Sequence, residues 1–187
     1  MGELQRQFRR HVSPPRAGAV LVLLAVFVAV LTVRLLAAEG PPQSGSASEA
    51  EEALVLAAVQ KFFDGMATGD ATLVGEVVVP EGQFFSIRYE NAESFTTRTS
   101  TNQEFLDRLA AGGTDLLERM WDPTVMIHGR LATVWTPYDF HRDGDFSHCG
   151  GDSFNLVRTE EGWKIANGAY TIEPSDCAPS PLGPPRR

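Results

Sequence analysis

The chain has 187 residues, of which 43% are hydrophobic, and this is enough for one domain with a hydrophobic core. Its formal net charge is −8, but the residues after position 38 hold 11 Lys and Arg against 23 Asp and Glu, a balance of −12. Such an acidic body repels phosphate backbones, which excludes nucleic acid as a partner.

The N-terminal segment has the charge pattern of a membrane-targeting sequence. Four arginines, the last of them Arg16, precede an uncharged apolar run from Ala17 to Val33. Positive charge ahead of an apolar run stays in the cytoplasm, so everything that follows is expected to be extracytoplasmic. Residues 1–38 are therefore predicted to be an arginine-rich cytoplasmic segment followed by a transmembrane anchor or a signal peptide.

Three interpretations of this segment remain open. The run of 17 residues is short for a spanning helix, although residues 35–38 extend it. The sequence Leu36-Ala37-Ala38 fits a signal peptidase site only weakly. An uncleaved segment would anchor the protein in the membrane, a cleaved one would release it, and a buried soluble helix is the third alternative.

Two segments have the composition of flexible chain. Residues 39–48 and 178–187 are rich in Pro, Gly and Ser, which favours a tether and a disordered tail. The folded domain is expected to lie between them, over residues 49–177.

Helices are predicted first in this domain. Ser48 and Glu51 have the spacing of a capping box, and apolar residues then recur at helical spacing up to Gly69. Asp70 is expected to cap a second short helix through Val78. A third helix follows the capping box of Thr101 and Glu104 and ends at residues 112–113, with strands expected in the sequences GQFFSIRY and ESFTTRT.

From Leu117 onward, turn signals separate strand-like segments. His128-Gly129, Asp143-Gly144 and Glu161-Gly162 stand between runs rich in β-branched and aromatic residues. These signals predict strands at 117–128, 130–141, 145–158 and 162–172. Helices followed by an antiparallel meander indicate an α+β fold.

Several short motifs of the sequence are similar to those of a known protein family. The sequence resembles the NTF2-like superfamily (SnoaL-like, ketosteroid-isomerase-like), and within it the bacterial proteins labelled "putative lumazine-binding". The resemblance implies a strongly curved antiparallel sheet wrapped around N-terminal helices to form a cone with a pocket. It rests on KFFDGMATGD at residues 61–70 and on Tyr138-x-Phe140, Asp143-Gly144, His148-Cys149-Gly150, Asp152, Phe154 and Gly162-Trp163-Lys164-Ile165.

Strand alternation selects the residues expected to face the pocket. Side chains two positions apart share a face of a strand, so His148 and Asp152 lie on the face of core residue Phe154 unless the glycines at 150–151 form a bulge. The same reasoning applied to the neighbouring strands gives a polar and aromatic pocket for a small molecule. Its predicted residues are Tyr138, Phe140, His148, Asp152, Trp163 and Asn167.

The pair of His148 and Asp152 has two interpretations. It is a general acid/base pair if the carboxylate orients the imidazole, or a hydrogen-bonded pair that closes the polar end of the core. Alternation places His148 and Cys149 on opposite faces, so no metal site is expected, and no cofactor motif is present. His128, His141 and Asp139 lie near turns and are expected to be exposed.

Cys149 and Cys177 are the two cysteines of the chain. An even count in an oxidising compartment favours a disulfide between them, and a reactive thiolate is the alternative.

Three functions remain open from the sequence. The first is a small-molecule-binding domain, the second an enzyme of isomerase, cyclase or hydrolase type that uses His148 and Asp152, and the third a dimeric protein-interaction module. Trp121 and Trp135 are the residues to examine for the third, and a homodimer is expected by analogy with proteins of this shape.

Overall fold

The computed structural model describes residues 44–91 and 93–185. Within these ranges, none of the helices combines the length and the apolar character that crossing a membrane requires. The anchor or signal peptide expected in residues 1–38 lies outside the described residues.

Three helices are present in the described ranges: α1 (Ser44–Thr68), α2 (Ala71–Gly75) and α3 (Asn102–Ala111). The capping box predicted at Ser48 is wrong, because α1 begins four residues earlier and Glu51 instead binds Arg158 and the indole Nε1 of Trp163. The box at Thr101 is confirmed, with the Glu104 backbone N–H donating to Thr101 Oγ1 over 3.1 Å.

Asp70 caps α2, and its Oδ1 accepts the backbone N–H groups of Thr72 and Leu73 at 3.0 Å each. The helix ends at Gly75 rather than at the predicted Val78, because Val78 is already the first residue of the first strand.

The strands are β1 (Val78–Tyr89), β2 (Phe95–Thr101), β3 (Leu116–Met120), β4 (Thr124–His128), β5 (Leu131–Arg142), β6 (Asp145–Thr159) and β7 (Gly162–Ile172). They form one sheet in the order β2-β1-β7-β6-β5-β3, with β4 also paired to β5. The predicted α+β fold is confirmed. The β1–β7 pair is parallel, however, so the sheet is mixed rather than wholly antiparallel.

The core lies between α1 and the inner face of this curved sheet. Phe62 on α1 contacts Phe84 and Phe154 on the sheet, and Phe63 contacts Phe154, with ring centroids 5.4 to 6.1 Å apart. Val59 and Val55, one and two turns earlier on the helix, are fully buried. The apolar stripe predicted for α1 thus supports one wall of the cone.

Candidate ligand cavity

A cavity of about 380 Å³ opens between α1, α3 and the inner face of the sheet. Its walls include Phe62, Phe84, Phe105 and Phe154, whose rings also form the aromatic part of the core. A volume and an aromatic lining of this kind are typical of small-molecule sites. Polar groups are present at both ends of the cavity.

Four of the six residues selected from the sequence line this cavity: Tyr138, Phe140, His148 and Asp152. The other two, Trp163 and Asn167, lie outside it. Trp163 is buried where α1 covers the sheet and donates to Glu51. Asn167 is exposed, and its Oδ1 accepts the backbone N–H of Gln83 at 3.2 Å.

A bulge in β7 explains the position of Asn167. Asn155 pairs with Asn167 but Leu156 pairs with Ile165, so Ala166 is an extra residue and the alternation reverses there. Beyond the bulge, Tyr170 and Ile172 face the cavity instead. The residue that accommodates this bulge is Gly82 on β1, because a Cβ at that position would stand 1.7 Å from the Ala166 carbonyl oxygen. A glycine within a predicted strand was therefore the signal of the bulge in the sequence.

The inner end of the cavity holds a pair of carboxyl groups, those of Glu118 and Asp152, in hydrogen-bonding contact. Asp152 is 2% exposed, and apart from Glu118 no side chain or backbone group of the described residues donates to its Oδ2. Burial raises the pKa of Asp152 to about 7. Burial, followed by the charge of Asp152, raises the pKa of Glu118 well above its ordinary value. The pair therefore retains a proton at neutral pH.

Glu118 was missed because the predicted strand 117–128 is two strands. In β4, Thr124 pairs with Trp135, and the same register continued backwards would set Glu118 opposite His141 on the outer face. The strand is interrupted at residues 121–123, and in β3 Glu118 pairs with Phe140. This shift of one residue turns Glu118 to the inner face. Pro123 is the signal for the break, since it cannot donate to a strand ladder.

Tyr138 forms part of the cavity wall beside this pair. Its hydroxyl donates to the Thr171 carbonyl oxygen over 2.5 Å, and burial raises the pKa of the phenol. The ring occupies the space above Gly150, where a Cβ would be 2.7 Å from Tyr138 Cε1. The phenol proton is thus donated to the backbone, so Tyr138 contributes its ring to the cavity wall rather than a free donor.

His148 is stacked on Phe140, with ring centroids 4.7 Å apart, and its Nδ1 lies 3.0 Å from Ser147 Oγ. Burial, together with the charges of Arg88 and Arg142, lowers the pKa of His148 to about 4, so the imidazole is neutral at pH 7. It is not the hydrogen-bonding partner of Asp152, whose carboxyl contacts Glu118. The expected His-Asp pair is therefore not formed.

The open end of the cavity is positively charged. Arg88, Arg98, Arg108 and Arg142 line it with exposed side chains. None of them forms an ion pair with any residue in 44–91 or 93–185. Within the described residues, only Arg108 of the four donates a side-chain hydrogen bond, to Ser100 Oγ at 3.4 Å, and its guanidinium lies 5.9 Å from the ring centroid of Phe105.

The outer face of the sheet carries a second polar cluster. Arg119 donates to both carboxylate oxygens of Asp139, at 2.8 and 2.6 Å, and His141 Nε2 lies 3.4 Å from Asp139 Oδ1. Asp139 and His141 are 3% and 6% exposed, so the expectation that they are exposed turn residues is wrong. They lie within β5, which continues to Arg142, whereas His128 is exposed as expected.

The chain after β7 lies beside this cluster. The disulfide between Cys149 and Cys177 is present, with a Cα–Cα distance of 5.9 Å. In the segment predicted to be a disordered tail, six residues line a groove together with Arg119, Asp139 and His141: Ala178, Pro179, Ser180, Gly183, Pro184 and Pro185. The disulfide holds the start of this segment against β6.

Comparison with known proteins identifies the family that this chain matches. A family model described as "Putative lumazine-binding" matches residues 50–171. None of the curated proteins matches the chain.

Several solved structures share the fold. An NTF2-like protein from Cytophaga hutchinsonii is 13% identical, with a TM-score of 0.55 over 65% of this chain and 97% of its own. An NTF2-like protein with a cystatin-like fold from Novosphingobium aromaticivorans is 15% identical, with a TM-score of 0.55 over 72% and 91%. A "putative dehydratase" of the NTF2-like family from Streptomyces avermitilis is 16% identical, with a TM-score of 0.51 over 67% and 97%.

Proposed function

Since the chain belongs to the family described as "Putative lumazine-binding" and has the NTF2-like fold, we propose that it binds a small organic molecule in its cone-shaped cavity. The observation that carries this proposal is the buried carboxyl pair in the cavity wall, because no group of the described residues other than Glu118 donates to Asp152 Oδ2. Buried polar atoms in proteins are normally hydrogen-bonded, so a ligand that donates or shares a proton there would satisfy it.

The test is to extract the protein from its own host without denaturation and to identify the released small molecules by mass spectrometry. Leu116→Trp, which places an indole in the cavity lining, is expected to remove the bound compound. Thr97→Trp, at an exposed position of β2 that does not line the cavity, is the matched control and is expected to keep it. Equal recovery from both variants, with both folded by circular dichroism, would contradict binding in the cavity.

A second candidate function is proton-transfer catalysis by the carboxyl pair. Two carboxyl groups that retain one proton near pH 7 supply an acid and a base side by side, which isomerisation or elimination of water requires. Glu118 and Asp152, rather than His148, would then be the reacting groups. Once a bound compound is identified, its conversion by wild type but not by Glu118→Gln would establish catalysis, and conversion by both would exclude this role for Glu118.

We propose that the domain functions outside the cytoplasm, either anchored or released. The Cys149–Cys177 bridge supports this location, because disulfides persist in oxidising compartments. The arginine-rich start of the chain followed by an apolar run supports it as well. Alkylation of free thiols in intact cells is expected to leave both cysteines unmodified, and recovery of the alkylated, reduced protein would refute the location.

Homodimerisation is proposed for the outer face of the sheet. Met126, Leu131 and Trp135 are 63%, 53% and 53% exposed, and they lie close together on the paired strands β4 and β5. Exposed apolar patches of this kind are typical of protein contacts, and a second copy would cover the patch with the same patch. Sedimentation should give a dimer for wild type and a monomer for Trp135→Gln. A monomeric wild type would refute the proposal.

A further inference from the structure

The charged groups of the described residues are unevenly distributed over the surface. Nine Lys and Arg lie in 44–91 and 93–185, and four of them, Lys61, Arg119, Arg158 and Lys164, form ion pairs within the fold. Another four are the arginines at the open end of the cavity. The protein is acidic elsewhere, so an unpaired positive group at one opening is an attractive site for an anion.

These arginines come from four different elements. Arg88 lies near the end of β1, Arg98 on β2, Arg108 on α3 and Arg142 at the end of β5. Neither strand pairing nor helix formation requires arginine at these positions, and the like charges that line this one cavity repel one another. Arg88 and Arg142 line the cavity together with His148, and their charges help to lower the pKa of its ring. An anion at the opening would relieve the repulsion and accept their hydrogen bonds.

The inner end of the cavity, at Glu118 and Asp152, disfavours an anion. A negatively charged group there would meet Glu118 and Asp152, two carboxyl groups that already share a proton because they cannot both ionise readily. The inner end therefore accepts a neutral or basic polar group and rejects an anion. The cavity wall also carries aromatic rings, among them Phe62, Phe105 and Phe140, which suit a flat apolar body.

We propose that the ligand is an organic anion with a flat apolar body, bound with its carboxylate, sulfonate or phosphate group at the four arginines and its uncharged end toward Glu118 and Asp152. The proposal rests on the proposed binding function and specifies the class and the orientation of the ligand. It distinguishes this cavity from one that selects its ligand by apolar shape alone.

The probes for the test are 2-naphthoate and 2-naphthamide, which share a ring system and differ in charge. Calorimetric titration of the full chain is expected to give tighter binding for the anion, and this preference should weaken as salt rises from about 0.05 to about 0.5 M. The Arg88→Gln/Arg142→Gln variant is expected to lose about tenfold in affinity for 2-naphthoate. Its affinity for 2-naphthamide should stay within about twofold of wild type.

Arg130→Gln is the matched control, because Arg130 is exposed in the turn between β4 and β5 and does not line the cavity. It removes one positive charge and should leave both affinities unchanged. Equal affinity of wild type for the two probes would overturn the anion preference while leaving cavity binding intact. An equal loss in Arg130→Gln and in the double variant would overturn the role of the opening. Binding of neither probe would count against the cavity as a binding site altogether.

Discussion

Replacing Asp152 with Asn should change how the stability of the protein depends on pH. Burial raises the pKa of this carboxyl from an ordinary value of 3.8 to about 7 in the folded protein. A carboxyl group whose folded pKa is raised binds its proton more tightly when folded. Its contribution to stability is therefore fully present below about pH 4 and is lost as the pH rises through about 7.

The magnitude follows from these two pKa values. Between about pH 4.5 and about pH 7.5 the wild type should lose roughly 3 kcal/mol of unfolding free energy through this group, and the coupling to Glu118 makes that figure an upper estimate. The Asn side chain does not titrate over this range, so Asp152→Asn should lack the loss. The variant should therefore gain stability relative to wild type as the pH rises.

Urea unfolding, followed by tryptophan fluorescence at several pH values, measures this difference. Glu160→Gln is the control, because Glu160 is exposed where β6 turns into β7 and its removal should leave the wild-type pH profile in place. Parallel pH profiles for wild type and Asp152→Asn would refute the raised pKa and the account of the carboxyl pair that depends on it.

Two further changes test the fold around the cavity. Replacing both Cys149 and Cys177 with Ser should cost roughly 3 to 4 kcal/mol in the chain-entropy model, since the bridge closes a separation of 28 residues, and an unfolding midpoint within error of wild type would contradict this. Gly150→Ala should cost about 1 to 3 kcal/mol, because its methyl group would stand 2.2 Å from the Thr171 carbonyl oxygen and 2.7 Å from Tyr138 Cε1. Gly151→Ala, whose Cβ would make ordinary contacts, is its control, and equal effects on thermal unfolding would contradict the role of Gly150.

Much of the fold was predictable because local signals and tertiary structure agree. The apolar stripe of α1, the Asp70 cap and the Thr101 capping box each rest on contacts within a few residues, and the turns at Gly129, Gly144 and Gly162 rest on positive φ angles that glycine adopts readily. Alternation along β6 also placed His148 and Asp152 on one face correctly, because the register with β5 has no break at residues 150–151.

The errors arise where strand register depends on residues far apart in sequence. Asn167 was wrongly assigned to the pocket because the extra residue Ala166 reverses the alternation along β7. The pairing of β7 with β1, far away in sequence, determines where this bulge forms. Glu118 was missed because the break before β4 shifts the pairing by one residue. Asp139 and His141 were expected to be exposed, yet Arg119 and the chain after Cys177 cover them. Periodicity within one strand carries no information on any of these contacts.

The measurement that tests the central claim most directly is a high-resolution experimental structure of the protein as purified from its host under oxidising conditions. The account predicts density for a small molecule in the cavity, with an anionic group near Arg88 and Arg142 and an uncharged end against Glu118 and Asp152. A cavity filled by the protein's own side chains, with a protein donor other than Glu118 on Asp152 Oδ2, would contradict it.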